Sequence, residues 1–246
     1  MKLNQLFSIK DKTVVITGCS SGIGFELAKG FIINGAHVIG ISRTKPKEKI
    51  DFKMFFECDI NDNKKVELIT QKIKENKVVI NSLLNVAGIS IPKLDTQSEI
   101  SRFDQTFNTN IRSMYNIIKK LEPLFGNGAS IINFSSIGGL LGFPDNPSYC
   151  ASKGAVISLS RALANDFGEK NIRVNCIIPG YFHTKMTASS YSNENEKRKR
   201  EQRTILGRWG KLNELLGASI YFVSDASSYV TGTELIIDGG WSSKGL

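Results

Sequence analysis

The chain has 246 residues, 41% of them hydrophobic, and a formal net charge of +9. That is enough apolar material to bury one large core, and no Pro/Ser-rich tract or repeat divides it, so a single domain spanning 1–246 is expected. No apolar stretch reaches the roughly 18 residues of a membrane span. The start of the chain lacks the apolar core of a secretory signal, so the expected location is cytoplasmic. Four cysteines, without a C-x-x-C pair, and two histidines form no zinc motif; reduced, buried thiols are expected.

Strand and helix patterns alternate along the chain. Strands are predicted at 13–17, 36–42, 54–58, 82–85, 130–135, 173–178 and 234–238, with helical stretches between successive members, among them 102–125 and 148–167. Seven strands joined in this way predict an α/β fold: a Rossmann-type, doubly wound, seven-stranded parallel sheet with helices on both faces. Ligands then belong beyond the carboxyl ends of the strands.

The first strand runs into Thr17-Gly18-Cys19-Ser20-Ser21-Gly22-Ile23-Gly24, which opens a helix. Glycines let backbone amides approach an anion, and the helix start aims free N–H groups at it. Gly18, Ser20, Ser21, Gly22, Ile23 and Gly24 are therefore candidate contacts to a dinucleotide pyrophosphate. The spacing Gly18-x-x-x-Gly22-x-Gly24 is neither the commoner G-x-G-x-x-G nor a P-loop. At the end of the second strand, where a carboxylate would select NAD, the chain has Ser42 and Arg43. A hydroxyl and a guanidinium suit a 2′-phosphate, with Ser21 as a further donor, so NADP(H) is preferred over NAD(H); stacking of Arg43 on adenine is the alternative.

The third and fourth strands end at Asp59-Ile60 and Asn85-Val86-Ala87-Gly88. Asp59 either accepts from an adenine amino group or caps the next helix. Asn85 is either a site residue or a turn former, and small Ala87 and Gly88 let backbone pass close to a nucleotide. In Tyr149-x-x-x-Lys153, helical spacing brings the ammonium beside the phenol, where a cation lowers the phenol pKa. Ser136, at the end of the fifth strand, is the candidate oxyanion donor, with Ser135 turned to the opposite face.

Two basic concentrations, 45–49 and 197–200, account for part of the charge. The second reads as a solvated helix face or loop, or as a basic rim that attracts an anionic substrate. No interleaved aromatics or zinc-finger pattern support nucleic-acid binding.

Over nearly its whole length the chain resembles the short-chain dehydrogenases/reductases: Thr17 to Gly24, Asn85 to Gly88, Ser136, Tyr149-x-x-x-Lys153 and Pro179-Gly180 carry the likeness. The resemblance implies that Asn110 joins Ser136, Tyr149 and Lys153 in catalysis. It also implies that Lys153 binds the nicotinamide ribose and that Pro179, Gly180, Phe182 and Thr184 embrace the nicotinamide. Val86 replaces the family's second asparagine. The chain is similar to gluconate 5-dehydrogenase-like members, which implies a keto sugar, sugar acid or polyol substrate beneath a lid at 185–210. The rival reading is a 3-oxoacyl-acyl-carrier-protein reductase. Where such enzymes dock their acidic carrier with arginines, this chain has Asn127 and Lys170. A homotetramer is expected, with a dimer as fallback, and a non-catalytic NADP sensor or nucleic-acid-associated protein is the remote alternative. His183 is placed to contact substrate or to pack; His37 has no functional case.

Overall fold

The computed structural model describes residues 2–91 and 98–245. In chain order the elements are α1 (Leu3–Leu6), β1 (Thr13–Thr17), α2 (Gly22–Ile33), β2 (His37–Ser42), β3 (Met54–Glu57), α3 (Asn63–Glu75), β4 (Ile80–Asn85), α4 (Glu99–Phe107), a π-helical turn (Asn108–Arg112), α5 (Ser113–Leu121), β5 (Phe125–Phe134), α6 (Pro147–Gly168), β6 (Arg173–Pro179), α7 (Ala188–Ser192), α8 (Glu194–Arg203), α9 (Leu216–Val223) and β7 (Glu234–Ile237). They form one seven-stranded sheet in the order β3-β2-β1-β4-β5-β6-β7, parallel throughout.

The middle strands are buried on both faces, as their unbroken apolar runs require: every residue of β1 and β6 is buried. One layer holds α3, α5 and α6, through Val66, Ile69, Ile117, Ile118, Val156 and Leu163. The other packs Leu27 and Phe31 of α2 against Phe222 and Val223 of α9. Asp62 caps α3, accepting from the amides of Lys64 and Lys65. Strand order reverses between β1 and β4, so their carboxyl ends diverge and leave a crevice.

The architecture matches the sequence expectation, and the largest differences of extent are in β5 and in the helix expected over 102–125. β5 starts at Phe125, five residues before the predicted 130, because Gly126 and Gly128 interrupt the apolar pattern without preventing pairing; the register shifts between Ile80 and Ser82 to absorb them. The helix expected over 102–125 is compound. Its α-helical turns give way to the π-helical turn around Asn110, and Pro123 ends it in a short 3-10 turn.

Candidate active site

A cleft of ≈ 600 Å³ opens at the crevice. Thirteen of the nominated cofactor residues line it: Gly18, Ser20, Ser21, Gly22, Ile23, Gly24, Ser42, Arg43, Asp59, Ile60, Ala87, Gly88 and Thr184. At Gly18 the backbone has φ +72°, and a Cβ there would lie 2.8 Å from the Ala87 Cα. A Cβ on Gly24 would lie 2.4 Å from the Gly18 carbonyl oxygen. Only hydrogen fits at either position, so the turn folds tightly onto the end of β4; the Gly18 amide is tied to the Ile41 carbonyl, and the start of α2 turns the amides that follow toward the cleft.

At the far end of the cleft, Ser42 donates to Ser20 Oγ at 2.9 Å and Thr44 reaches the same oxygen at 3.4 Å. Exposed Arg43 has no ion-pair partner among the described residues. Three hydroxyls and an uncommitted guanidinium therefore surround one corner, with no carboxylate among them. Sequence reading missed Thr44, which lies in an exposed loop without a periodic signal. Asp59 is not a helix cap, since Asp62 has that role; it accepts from the Asn61 amide at 2.9 Å and from Asn61 Nδ2 at 3.0 Å. Asn61, also missed, ties Asp59 to Thr109 Oγ1 at 3.1 Å.

Four further nominated residues are not among those lining the cleft. Asn85 is buried beneath the cleft, donating to Asn133 Oδ1 at 2.9 Å, so its amide joins neighbouring strands. Pro179 pairs with Ile237 inside the sheet. Gly180 permits a close approach to β7, because a Cβ there would lie 2.7 Å from the Asp238 Cα. Phe182 is buried against Gly210 at the base of the 185–210 segment. Each is held by packing with residues far away in sequence, a contact that no local pattern reveals.

Ser136, Tyr149, Lys153 and Asn110 assemble behind Gly88. The extended backbone at Ser136 follows β5, its Oγ accepts from the Gly138 amide at 3.1 Å, and the Tyr149 ring packs at the same glycine, where a Cβ would lie 3.3 Å from it. Ser135 is turned away, donating to the Lys153 carbonyl at 2.7 Å, as strand alternation predicts. Asn110 sits in the π-helical turn, a geometry concentrated at functional sites. Its Oδ1 accepts from the Ile89 amide at 2.8 Å, while Nδ2 donates to the Ile89 carbonyl at 2.9 Å and to Ser152 Oγ at 3.0 Å. A Cβ on Gly88 would lie 3.2 Å from Asn110 Oδ1 and 3.4 Å from Lys153 Nζ, so both polar groups face this glycine.

The electrostatics correct one expectation. Lys153 Nζ lies 5.8 Å from the centre of the Tyr149 ring and donates to the Phe134 carbonyl at 2.8 Å, so its charge is directed at backbone. Burial pushes the Tyr149 phenol up, and the hydrogen bond with Ser136 opposes this only in part. Desolvation pulls the Lys153 ammonium down to about 8. The pair thus presents a protonated phenol beside a lysine able to exchange protons near neutral pH. Among the described residues no cluster of metal-ligating side chains occurs, and no helix is long and apolar enough to cross a membrane.

Above this group, Tyr181 meets Phe143, Trp209 and Trp241 at ring-centre distances of 6.3, 5.3 and 4.9 Å. His183 stacks on Tyr191 at 4.0 Å, a packing role. The basic run on α8 is not simply a solvated face: Lys197, Arg200 and Arg203 lie over Tyr191, Tyr181 and Trp241.

A nucleotide cleft at the switch point of a parallel sheet, ending at a Ser–Tyr–Lys–Asn group, defines a dinucleotide-dependent oxidoreductase of the Rossmann type. The family model described as enoyl-(acyl carrier protein) reductase matches residues 18–242. The chain is 36% identical to 3-oxoacyl-[acyl-carrier-protein] reductase FabG of Chlamydia trachomatis over 94% of this chain and 97% of that protein. It is 31% identical to 2-dehydro-3-deoxy-D-gluconate 5-dehydrogenase of Dickeya dadantii over 97% of this chain and 98% of that one. Aldohexose dehydrogenase of Thermoplasma acidophilum superposes with a TM-score of 0.90 at 27% identity, covering 98% of this chain and 97% of that one. The chain belongs to the short-chain dehydrogenase/reductase family, whose members act on alcohol and ketone groups with NAD(P).

Proposed function

We propose that the protein is an NADP(H)-dependent carbonyl reductase acting on a keto sugar, a keto sugar acid or the corresponding polyol. The observation that carries this reading is the gathering of Ser136 and Tyr149 at Gly138, and of Lys153 and Asn110 at Gly88, at the inner end of the cleft. When bound, the cofactor supplies the hydride for the carbonyl carbon. The Gly18–Gly24 turn holds its pyrophosphate, and Ser20, Ser42, Thr44 and Arg43 hold the 2′-phosphate. Ser136 donates a hydrogen bond to the carbonyl oxygen and stabilises charge developing there. Tyr149, kept protonated by burial, delivers the proton to that oxygen. Lys153, poised near 8, returns a proton to the phenolate, and Asn110 fixes the Ile89 backbone and Ser152 around this route. Residues 185–210 act as the substrate lid, and the protein works as a cytoplasmic homotetramer. Exposed Ile100, Phe103 and Tyr115 on α4 and α5 provide an apolar face for that assembly.

Reduction of a 3-oxoacyl thioester is the second reading, favoured by the identity to the Chlamydia trachomatis reductase. Against it, Lys170 is ion-paired with Glu122 and Asn127 is held by Asn171, so the surface suited to an acidic carrier offers no uncommitted cation at either position. Steady-state NADPH oxidation with a keto sugar acid and with a 3-oxoacyl thioester separates the two. Preference for the thioester overturns the sugar reading, and binding of NADPH without turnover of any carbonyl moves the protein to the sensor class.

A further inference from the structure

Two N–H groups within the 185–210 segment are buried with no partner among the described residues. Arg200 gives Nη1 to the Glu196 carbonyl at 2.9 Å and to Glu196 Oε2 at 2.6 Å, but its buried Nε has no partner. Trp209 is 7% exposed, and its indole Nε1 is likewise buried and unpaired. Both groups flank one ring: the Arg200 guanidinium carbon lies 4.9 Å from the centre of Tyr181, and the Trp209 ring centre lies 5.3 Å from it. Tyr181 meets Phe143 at 6.3 Å between ring centres, and Phe143 and Tyr149 converge on Gly138, where a Cβ would lie 3.3 Å from either ring. An indole N–H and a guanidinium N–H can only donate, so what satisfies them is an acceptor; a buried donor left unpaired is costly enough to call for one.

We propose that Arg200 and Trp209 form a carboxylate subsite, fixing the acid end of a keto sugar acid while its carbonyl meets Tyr149 and Ser136. This rests on the reductase reading given above. The charges around the subsite suit an anion. Lys197, Arg200 and Arg203 turn the inner face of α8 toward the aromatic floor, opposed by Glu194, which pairs with Lys197, and by Glu196, which Arg200 and Lys199 share. Because both donors are shut from solvent, the carboxylate reaches them when α8 swings out between Asn193 and Gly207 and closes with them.

The test measures kcat/KM at saturating NADPH for 5-keto-D-gluconate and for uncharged L-sorbose, with the wild type and with Arg200→Gln, Trp209→Phe and Arg198→Gln. Loss of a hydrogen bond to a charged group lowers the acid-to-neutral ratio about 10- to 100-fold in Arg200→Gln. Trp209→Phe keeps a ring but removes the donor and lowers the ratio several-fold. Arg198→Gln removes an exposed charge from the same helix and leaves the ratio within about twofold. Equal losses for both substrates in Arg200→Gln overturn the proposal, because they mean that Arg200 only holds the lid. A wild type that reduces L-sorbose as well as the acid also overturns it, while the reductase reading stands.

Both tryptophans of the chain lie in this cluster, so intrinsic fluorescence gives a readout independent of turnover. A response to D-gluconate in the wild type, absent with D-sorbitol and absent in Arg200→Gln, supports the subsite even if no carbonyl is reduced, in which case only the reductase reading fails. No fluorescence response to D-gluconate in the wild type overturns the subsite.

Discussion

Replacing Gly18 by alanine tests the cradle on which cofactor binding depends. Gly18 has φ +72°, and a Cβ there would stand 2.8 Å from the Ala87 Cα and 2.9 Å from its nitrogen, closer than real atoms approach. Neither side can yield cheaply: the Gly18 amide donates to the Ile41 carbonyl at 2.8 Å, and the Ala87 amide is held by Thr17 Oγ1 at 3.2 Å. Left-handed strain contributes about 1 kcal/mol and overpacking against backbone about 2 kcal/mol. A loss of about 3 kcal/mol lowers the Tm of a chain this size by roughly 6–12 °C. NADPH binding weakens as well, because displacement of the turn moves the amides that face the pyrophosphate. Thermal denaturation with and without NADPH reads both effects. Gly168→Ala is the control: it lies at the exposed end of α6 with open space around its Cβ position, and is expected to change stability by less than about 1 kcal/mol. A Tm fall of less than about 2 °C in Gly18→Ala, with wild-type affinity for NADPH, refutes the reasoning.

Further predictions concern the same crevice. Ser42→Asp combined with Arg43→Gln puts a carboxylate where the hydroxyl corner stands and removes the free guanidinium; the ratio of NADH to NADPH affinity rises about 10- to 100-fold by fluorescence titration, and an unchanged ratio contradicts the assignment of that corner. Lys153→Met abolishes reduction yet leaves Tm equal or higher, because it removes a buried charge whose only hydrogen bond from Nζ among the described residues is to the Phe134 carbonyl; a large Tm fall refutes this. Burial depresses the Lys153 pKa to about 8, so the charged form is lost as pH rises through that value, and kcat/KM for reduction is level at lower pH and falls above about 8; a profile flat to pH 10 excludes Lys153 as the proton source.

What was legible in the sequence follows from the range of each signal. The glycine turn, Ser42-Arg43 and the Tyr149–Lys153 spacing are local, and alternation along β5 separates Ser136 from Ser135, whose hydroxyl bonds Lys153 backbone. The placements of Asn85 and Gly180 depend on Asn133 in β5 and on Asp238 just past β7, partners that no local pattern reveals. The α8 run reads as uniformly polar, because the rings beneath it, Tyr181, Tyr191 and Trp241, come from three separate segments. The effect of Lys153 on Tyr149 is not legible locally, because helical spacing gives proximity but neither the depth of burial nor the carbonyl that takes the ammonium hydrogen bond.

The most direct test of the account compares wild type and Tyr149→Phe in NADPH oxidation with 5-keto-D-gluconate, alongside NADPH affinity. Removing a single oxygen is expected to leave cofactor binding within about threefold while lowering kcat by about 10²- to 10⁴-fold, the span of general acid catalysis. A Tyr149→Phe enzyme that turns over at the wild-type rate contradicts the central claim, since the proton must then come from elsewhere.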